Sequence, residues 1–225
     1  PLAGIYTTGL QIPLNISGAI NTFQNLNNGI VIFNTDMQIS NCSFDRIFQY
    51  DNIPTYTKGC AIQADGLSGY YKLFIDGHID PVTIDHCKWG IHVTRMGTEI
   101  KSVNEMHTDV GIWIDKNNAG LTTNVSNCNL QCENIGVELW QNIGSTYQYV
   151  TGNLISIGSA GNGGGKGIRV DDSNITPSDI NINGNIIDVY NAYGGIALFQ
   201  GIKSRVFENI VTLHVPDVNY YGIGV

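Results

Sequence analysis

Charged residues are scarce in this sequence. Only 13 % of its 225 residues are Asp, Glu, Lys or Arg, about half the share of an ordinary globular protein. Proline is also rare, with six residues, whereas glycine reaches 27. Hydrophobic residues still make up 42 %, so the chain has enough apolar side chains to build a core. Little charge combined with much glycine is typical of short strands joined by many tight turns.

Basic clusters and long apolar runs are missing as well. The net charge is −8, and no group of Lys and Arg resembles the patches that bind nucleic acid, so we expect no nucleic-acid partner. No apolar stretch reaches the ~18 residues that a membrane helix needs, which predicts no transmembrane segment. We also expect no signal peptide within residues 1–225. We expect residues 1–225 to form a single domain, cut from a longer chain.

Cysteine is present in an odd number, five. The spacing of these residues matches none of the paired patterns of zinc sites, and the sequence predicts no metal ligands. The cysteines fall at positions where a repeated pattern requires buried residues. We therefore expect buried free thiols and no disulfide bonds.

A motif of glycine, apolar residue, any residue and apolar residue recurs along the chain. Its alternation has the period of a β-strand, with every second side chain facing a core. We expect each glycine to mark a corner of the chain. The copies begin at Gly29, Gly59, Gly90, Gly111, Gly136, Gly167, Gly195 and Gly222.

A second motif lies between these copies, and its fourth residue is cysteine, methionine or asparagine. The asparagines predict an internal ladder of stacked amides, in which cysteine and methionine are apolar substitutes. A wide gap between the first two copies predicts a degenerate strand near Tyr71 to Asp76. The fourth residues are Cys42, Cys87, Met106, Cys128, Asn153, Asn185 and Asn209.

Both motifs together predict an all-β fold, a right-handed single-stranded parallel β-helix. The segments are short and rich in β-branched residues, which disfavours helices. One turn of such a chain cannot bury its apolar side alone, whereas stacked turns form a continuous core. The number of motif copies predicts about eight coils.

The two motifs resemble the repeats of the pectin lyase-like superfamily, most of all the generic β-helix repeat of secreted bacterial proteins. The resemblance implies an extracellular or cell-surface protein with polysaccharide as its partner. It leaves activity open, because the superfamily includes lyases, glycoside hydrolases, adhesins and phage tailspikes. Val82 to Cys87 is similar to a stretch of pectate lyases, but the arginine motif of those enzymes is absent. An acidic substrate would call for Ca²⁺, so a cofactor also stays open.

The third residues of the glycine motif should form one outward-facing row on the surface of the solenoid. Trp113 and His92 are residue types that bind sugars, with Lys116 and Trp140 at neighbouring strand ends. Asp115, Glu138 and Arg169 are candidate catalytic residues, two carboxylates for acid–base chemistry and a guanidinium for a substrate carboxylate. The predicted row is Val31, Ala61, His92, Trp113, Glu138, Arg169, Ala197 and Gly224.

Two functions follow from these residues. In the first, the protein binds polysaccharide and cleaves it as a lyase or glycoside hydrolase, or binds without cleaving. In the second, it is a non-enzymatic surface element, such as an adhesin segment, a tailspike-like shaft or a carried domain of a large secreted protein. The missing catalytic signatures favour the second function, and the row of sugar-binding residue types favours the first.

Overall fold

A computed structural model of the chain contains 23 strands, and no helix occurs in the part of the chain that it describes. Within that part there is accordingly no helix that could span a membrane. Val225, the last residue of the final copy of the glycine motif, lies outside the described residues. The structure describes residues 3–48, 59–67, 70–116, 120–142, 147–158, 165–171, 179–190, 192–199, 203–214 and 221–224.

The strands stack into three faces, and the chain passes from the first face to the second and third before it returns one level on. The first face contains β1 (Ala3–Thr8), β4 (Asn28–Phe33), β7 (Cys60–Asp65), β10 (Trp89–Thr94), the ends of β12 (Val103–Asp115) and β14 (Asn129–Trp140), β17 (Lys166–Asp171), β20 (Gly194–Phe199) and β23 (Tyr221–Gly224).

The second face is a separate eight-stranded sheet. It contains β2 (Leu14–Ile16), β5 (Met37–Ile39), β8 (Lys72–Asp76), β11 (Gly97–Lys101), β13 (Thr123–Ser126), β15 (Tyr147–Thr151), β18 (Asp179–Asn183) and β21 (Lys203–Phe207). The third face contains β3 (Asn21–Gln24), β6 (Cys42–Asp45), β9 (Val82–Asp85), the beginnings of β12 and β14, β16 (Leu154–Ile157), β19 (Ile186–Val189) and β22 (Ile210–Leu213).

Neighbouring strands pair in parallel throughout, for example β10 with β12 and β14 with β17. The stack makes a β-solenoid of about seven turns, close to the predicted number. The all-β parallel solenoid is therefore confirmed, and its right-handedness stays a prediction. The strand β8 also confirms the degenerate segment predicted near Tyr71 to Asp76.

One interior row holds the first face together. The last apolar residues of five glycine motifs stand directly above one another, and all are buried. Because strands lie about 4.8 Å apart, each of these side chains packs on the next and shares its contacts with the other two faces. This row, which the sequence predicted, consists of Val93, Ile114, Leu139, Val170 and Leu198.

Most of the motif glycines serve a different purpose from the one predicted, although Gly59 has a φ of 89°. None of Gly90, Gly111 or Gly167 has a positive φ, so corner geometry does not require them. A Cβ atom on Gly167 would collide with the side chain of Ile187 and the carbonyl oxygen of Gly195. Glycine is needed here because the first face passes too close to the third face for any side chain.

The corners with left-handed backbone are occupied mostly by other residues. Arg95, Lys116 and Gln141 end successive first-face strands with φ of 57°, 56° and 52°. His86 and His107 have φ of 48° and 55° at the ends of two third-face segments. Left-handed corners turn long side chains outward in register, which concentrates polar groups along two edges of the solenoid.

The predicted interior ladder is present in the later coils and wrong in the earlier ones. Asn153, Asn185 and Asn209 stack with bonded side-chain amides. Cys87 and Met106 do not belong to their row, because Val82 pairs with Cys42 and Val103 pairs with Val82. Turns differ in length from coil to coil, so the alignment of the motif copies was wrong by one strand at Cys87 and Met106. The observed row is Asn21, Cys42, Val82, Val103, Cys128, Asn153, Asn185 and Asn209.

The glycine motif is also shifted at one copy. Ile62, not Cys60, pairs with Ile91, so Ala61 occupies the place of the motif glycine. All five cysteines are nevertheless free and buried, as predicted.

Candidate functional site

The outward row on the first face contains nearly all the residues that the sequence placed there. His92 pairs with Trp113, Trp113 with Glu138, and Glu138 with Arg169. The prediction for Ala61 is wrong, because Gln63 stands between Val31 and His92. The displaced motif at Gly59 explains the error. The observed row, here called the outer row, is Val31, Gln63, His92, Trp113, Glu138, Arg169, Ala197 and Gly224.

A second outward row follows two residues later, just before the corners. Here called the edge row, it contains Asp65, Thr94, Asp115, Trp140 and Asp171. The two rows border a surface groove of about 560 Å³, a volume within the range of small-ligand sites. The lining of this groove, here called the first-face groove, is Gln63, Asp65, His92, Thr94, Arg95, Trp113, Asp115, Lys116 and Trp140.

A stack of aromatic rings runs along one side of the groove. The rings of His92 and Trp113 are parallel with centroids 4.4 Å apart, and Trp140 stacks on Trp113 at 5.6 Å. Trp89 also stacks on Trp113, at 4.9 Å. The flat faces of Trp113 are therefore covered by other rings. Among the described residues Trp140 contacts one ring only, so it ends the stack. It is half-buried, with Asp171 beside it on the next coil.

Asp115 is held deep in the groove by its neighbours. The hydroxyl of Thr94 donates a hydrogen bond to its Oδ1 atom at 2.6 Å, and Nε2 of His92 lies 3.4 Å from the same oxygen. Burial alone would raise the pKa of Asp115, but the hydrogen bonds from His92 and Thr94 and the nearby charges of His92 and Lys116 outweigh it and lower the pKa. Asp115 is therefore an ionised acceptor at neutral pH.

The cationic groups of the groove already have carboxylate partners. Arg95 makes two hydrogen bonds to Asp65, at 3.0 and 2.6 Å. Lys116 Nζ lies 3.5 Å from Oδ2 of Asp115. The groove is thus polar and close to neutral, with paired charges that can still donate to or accept from a hydroxyl group.

Glu138 and Arg169 lie in the same outer row but do not line the groove. Arg169 bridges two carboxylates, with Nη1 3.1 Å from Oε1 of Glu138 and Nη2 3.1 Å from Oδ2 of Asp171. Burial raises the pKa of Glu138, the charge of Arg169 opposes this, and the charges of Asp171 and Asp115 add to it. The guanidinium predicted to hold a substrate carboxylate is occupied by the protein's own acids.

The structure therefore brings five of the seven predicted site residues into one groove: His92, Trp113, Asp115, Lys116 and Trp140. Several contributors were missed by the sequence analysis, among them Thr94, which holds Asp115. Trp89 belongs to the ring stack because the in-and-out alternation of the strand fails at Gly90, where the Cβ position of Gly90 and the side chain of Ile91 both face the interior. Gln63 was hidden by the displaced motif. The one feature of the sequence that could have predicted Asp65 is its position two residues after Gln63 of the outer row.

Comparisons of the chain with models of protein families, with curated proteins and with solved structures find no match. Function is therefore inferred from the solenoid and from the chemistry of its surface.

Proposed function

We propose that this protein binds a neutral polysaccharide in the first-face groove, and that it does so outside the cell or at the cell surface. The observation that carries the proposal is the groove itself, in which Trp140 ends a ring stack beside hydrogen-bonding groups. A ring face beside charged acceptors and donors is the surface that a pyranose ring with its hydroxyl groups fits. Successive coils about 4.8 Å apart repeat such contacts along an extended chain.

The charges of the groove favour a neutral glycan over an acidic one. Arg95 and Lys116 are each within reach of an aspartate, and the chain as a whole carries a net charge of −8. A polyuronate would be repelled unless a cation such as Ca²⁺ joined it to the carboxylates. Hydroxyl groups need no such cation, because a charged hydrogen-bond partner serves them equally well. The predicted likeness to pectin lyase-like proteins supports carbohydrate as the partner class and nothing finer.

Replacing Trp140 by alanine tests this function. We expect wild-type protein to bind one or more neutral polysaccharides on a glycan array and in affinity electrophoresis. The W140A variant should lose at least about tenfold in affinity, which corresponds to ~1.4 kcal/mol. Tyr190→Ala is the control, since this aromatic residue is 41 % exposed and lies at a different corner. Wild-type protein that retains no glycan, with or without Ca²⁺, would remove the proposal.

One observation favours cleavage as a second candidate function. The pKa of Glu138 is raised while that of Asp115 is lowered, which is the pattern of a general acid beside a general base. Their backbone positions are one strand and two residues apart, or about 8 Å, a spacing that allows the two carboxyl groups to approach the separation used by inverting glycosidases. We expect sugar release from a bound glycan to vanish in both Glu138→Gln and Asp115→Asn if this pair is catalytic. Binding with no sugar release in wild-type protein would leave a binding module.

A purely structural role is the outcome if no glycan binds. The covered faces of Trp113 and the ion pairs of Arg169 would then serve to stiffen the surface, as expected of an adhesin segment or a tailspike-like shaft. Long solenoids transmit load along their axis through repeated contacts of this kind.

A further inference from the structure

A second cluster of chemically active side chains lies away from the groove, at the corner between the third and first faces. Asp85 ends β9, His86 follows it, and His107 occupies the equivalent corner one coil later. The potential ligand atoms of these three residues all lie within 4.8 Å of one another. We call the three residues the corner cluster. The proposed glycan site does not involve any of them.

Backbone geometry positions the two imidazoles. Both residues have left-handed φ values, 48° for His86 and 55° for His107, so both side chains leave the chain in the same direction. The strand register places one above the other, and the rings stack with centroids 4.7 Å apart and planes at 15°. This arrangement needs two consecutive coils and cannot be recognised from the spacing of the histidines along the chain.

The ligand atoms converge on a single point. Nδ1 of His86 and Nδ1 of His107 each lie 3.0 Å from Oδ1 of Asp85. Two ligand atoms of a tetrahedral zinc site, each about 2.1 Å from the metal, are about 3.4 Å apart, so small shifts would admit an ion. Asp45 lies one coil below, with Oδ1 4.0 Å from Nδ1 of His86. It can receive a hydrogen bond from a water on that ion.

We propose that the corner cluster binds one divalent transition-metal ion, such as Zn²⁺, Ni²⁺ or Cu²⁺, through Nδ1 of His86, Nδ1 of His107 and a carboxylate oxygen of Asp85. Two imidazoles and one carboxylate suit these metals, whereas Ca²⁺ and Mg²⁺ prefer sites made of oxygen atoms. The side chains of His86 and His107 are 52 % and 55 % exposed. An ion can therefore reach the cluster, and at least one coordination position stays open to water or to an external ligand.

The test titrates the full, untagged chain with Zn²⁺ against a chromophoric chelator at pH 7.5. We expect one ion per chain. His86→Gln and His107→Gln should each weaken binding by at least about 100-fold, beyond the usual loss of an outer-shell partner. Asp85→Asn keeps the shape of the side chain and should also weaken binding. Ca²⁺ should not compete.

His214→Gln is the matched control. His214 also places a ring nitrogen 2.9 Å from an aspartate oxygen, that of Asp188, and stacks on Tyr190, but it has no second histidine beside it. We expect its removal to leave the affinity for Zn²⁺ unchanged. A ¹H–¹⁵N spectrum of the imidazoles should show Zn²⁺ bound to Nδ1 of His86 and His107.

Three results would overturn the proposal: binding of less than one ion per chain, equal affinity in the wild type and the two histidine variants, or loss of binding in H214Q alone. Circular dichroism without metal verifies that each variant is folded, which we expect because the exchanged side chains are 38–55 % exposed. Glycan binding is measured on the same samples and should not depend on Zn²⁺, so the two proposals fail separately.

Discussion

Buried polar groups in the interior of the solenoid differ in whether they have hydrogen-bond partners. In the later coils, Asn153 and Asn185 are almost completely buried, yet their side chains are fully engaged. Asn185 accepts hydrogen bonds from the backbone and side chain of Asn153 and donates to Val150 and Asn209. In the middle coils, Glu105 is equally buried, but neither of its carboxylate oxygens has a hydrogen-bond partner. The asparagines therefore have hydrogen-bond partners along their row, whereas Glu105 is a single buried acid whose carboxylate has none.

The difference lies in what the neighbouring coils present. Each asparagine meets another asparagine one coil away, so acceptor and donor repeat in register. Glu105 pairs in register with Ile84 and Leu130, which offer no hydrogen bond. The nearby hydroxyl of Thr108 favours the charged form of Glu105, but it donates at 3.3 Å to the sulfur of Cys132. In this interior, a buried polar side chain is therefore stabilised where the neighbouring coil carries the same polar side chain at the paired position.

The largest effect that we expect is on the pH dependence of stability through Glu105. Burial raises its pKa to about 8 from a value of 4.5. Between these values the unfolded chain releases a proton that the folded chain keeps, so unfolding becomes easier as the pH rises. The free energy of unfolding should fall by roughly 5 kcal/mol between pH 4.5 and 8, and no further above pH 8. Urea unfolding at a series of pH values measures this fall.

Glu105→Met isolates the contribution of this one acid. Methionine fits the apolar row and does not titrate, so the stability gap between variant and wild type should widen from pH 4.5 to 8. Glu105→Gln should flatten the profile in the same way while leaving the polar group buried. Glu133→Gln, a change to a half-buried residue of the neighbouring strand β14, serves as the control. A gap that stays constant with pH would show that Glu105 has found a partner in solution.

The next largest effect concerns the centre of the ladder. Asn185→Leu removes a side chain that bonds both neighbouring asparagines, and leaves the backbone N–H of Asn153 and the carbonyl of Val150 unpaired. With a cost of about 1–3 kcal/mol for each unsatisfied buried group, we expect a loss of about 3 kcal/mol in the free energy of unfolding. Asn104→Ala, at an exposed position of β12, should change it by less than about 0.5 kcal/mol.

The smallest effect is expected at the end of the same ladder. Asn209 donates to the carbonyls of Ile182 and Phe207, but it is only partly buried. Because water can replace some of these bonds, Asn209→Ala should cost about 1 kcal/mol. Equal losses for Asn185 and Asn209 in denaturant unfolding would contradict the view that burial sets the value of each ladder position.

The same rows explain which parts of the fold could be predicted. The asparagines at 153, 185 and 209 were recognisable because polar residues stand out at an otherwise apolar position. Val82 and Val103, which continue the row, look like any other core residue, and Cys87 and Met106 took their place in the alignment. Turn lengths vary from coil to coil, so sequence spacing alone cannot assign an apolar residue to its row.

For the groove, strict alternation along β10, β12 and β14 was sufficient to place His92, Trp113 and Asp115 on one surface. It was insufficient where alternation fails. Trp89 and His92 are three residues apart and yet both lie against Trp113, because the strand is irregular at Gly90. The sequence also predicted that Trp113 binds a sugar through its ring face. Only the packing of the rings shows that this face is covered.

The sequence by itself determined the repeating unit: alternating apolar residues, glycines and asparagines that can be buried only by stacking one turn on the next. The stacking of turns follows from local periodicity, which is repeated in every copy of the motif. The tertiary structure alone decided the register between turns, and with it the paired charges of the groove, the isolation of Glu105 and the meeting of His86 with His107. Those features depend on the length of each turn and on contacts between residues of different coils, and neither is written in the spacing of residues along one strand.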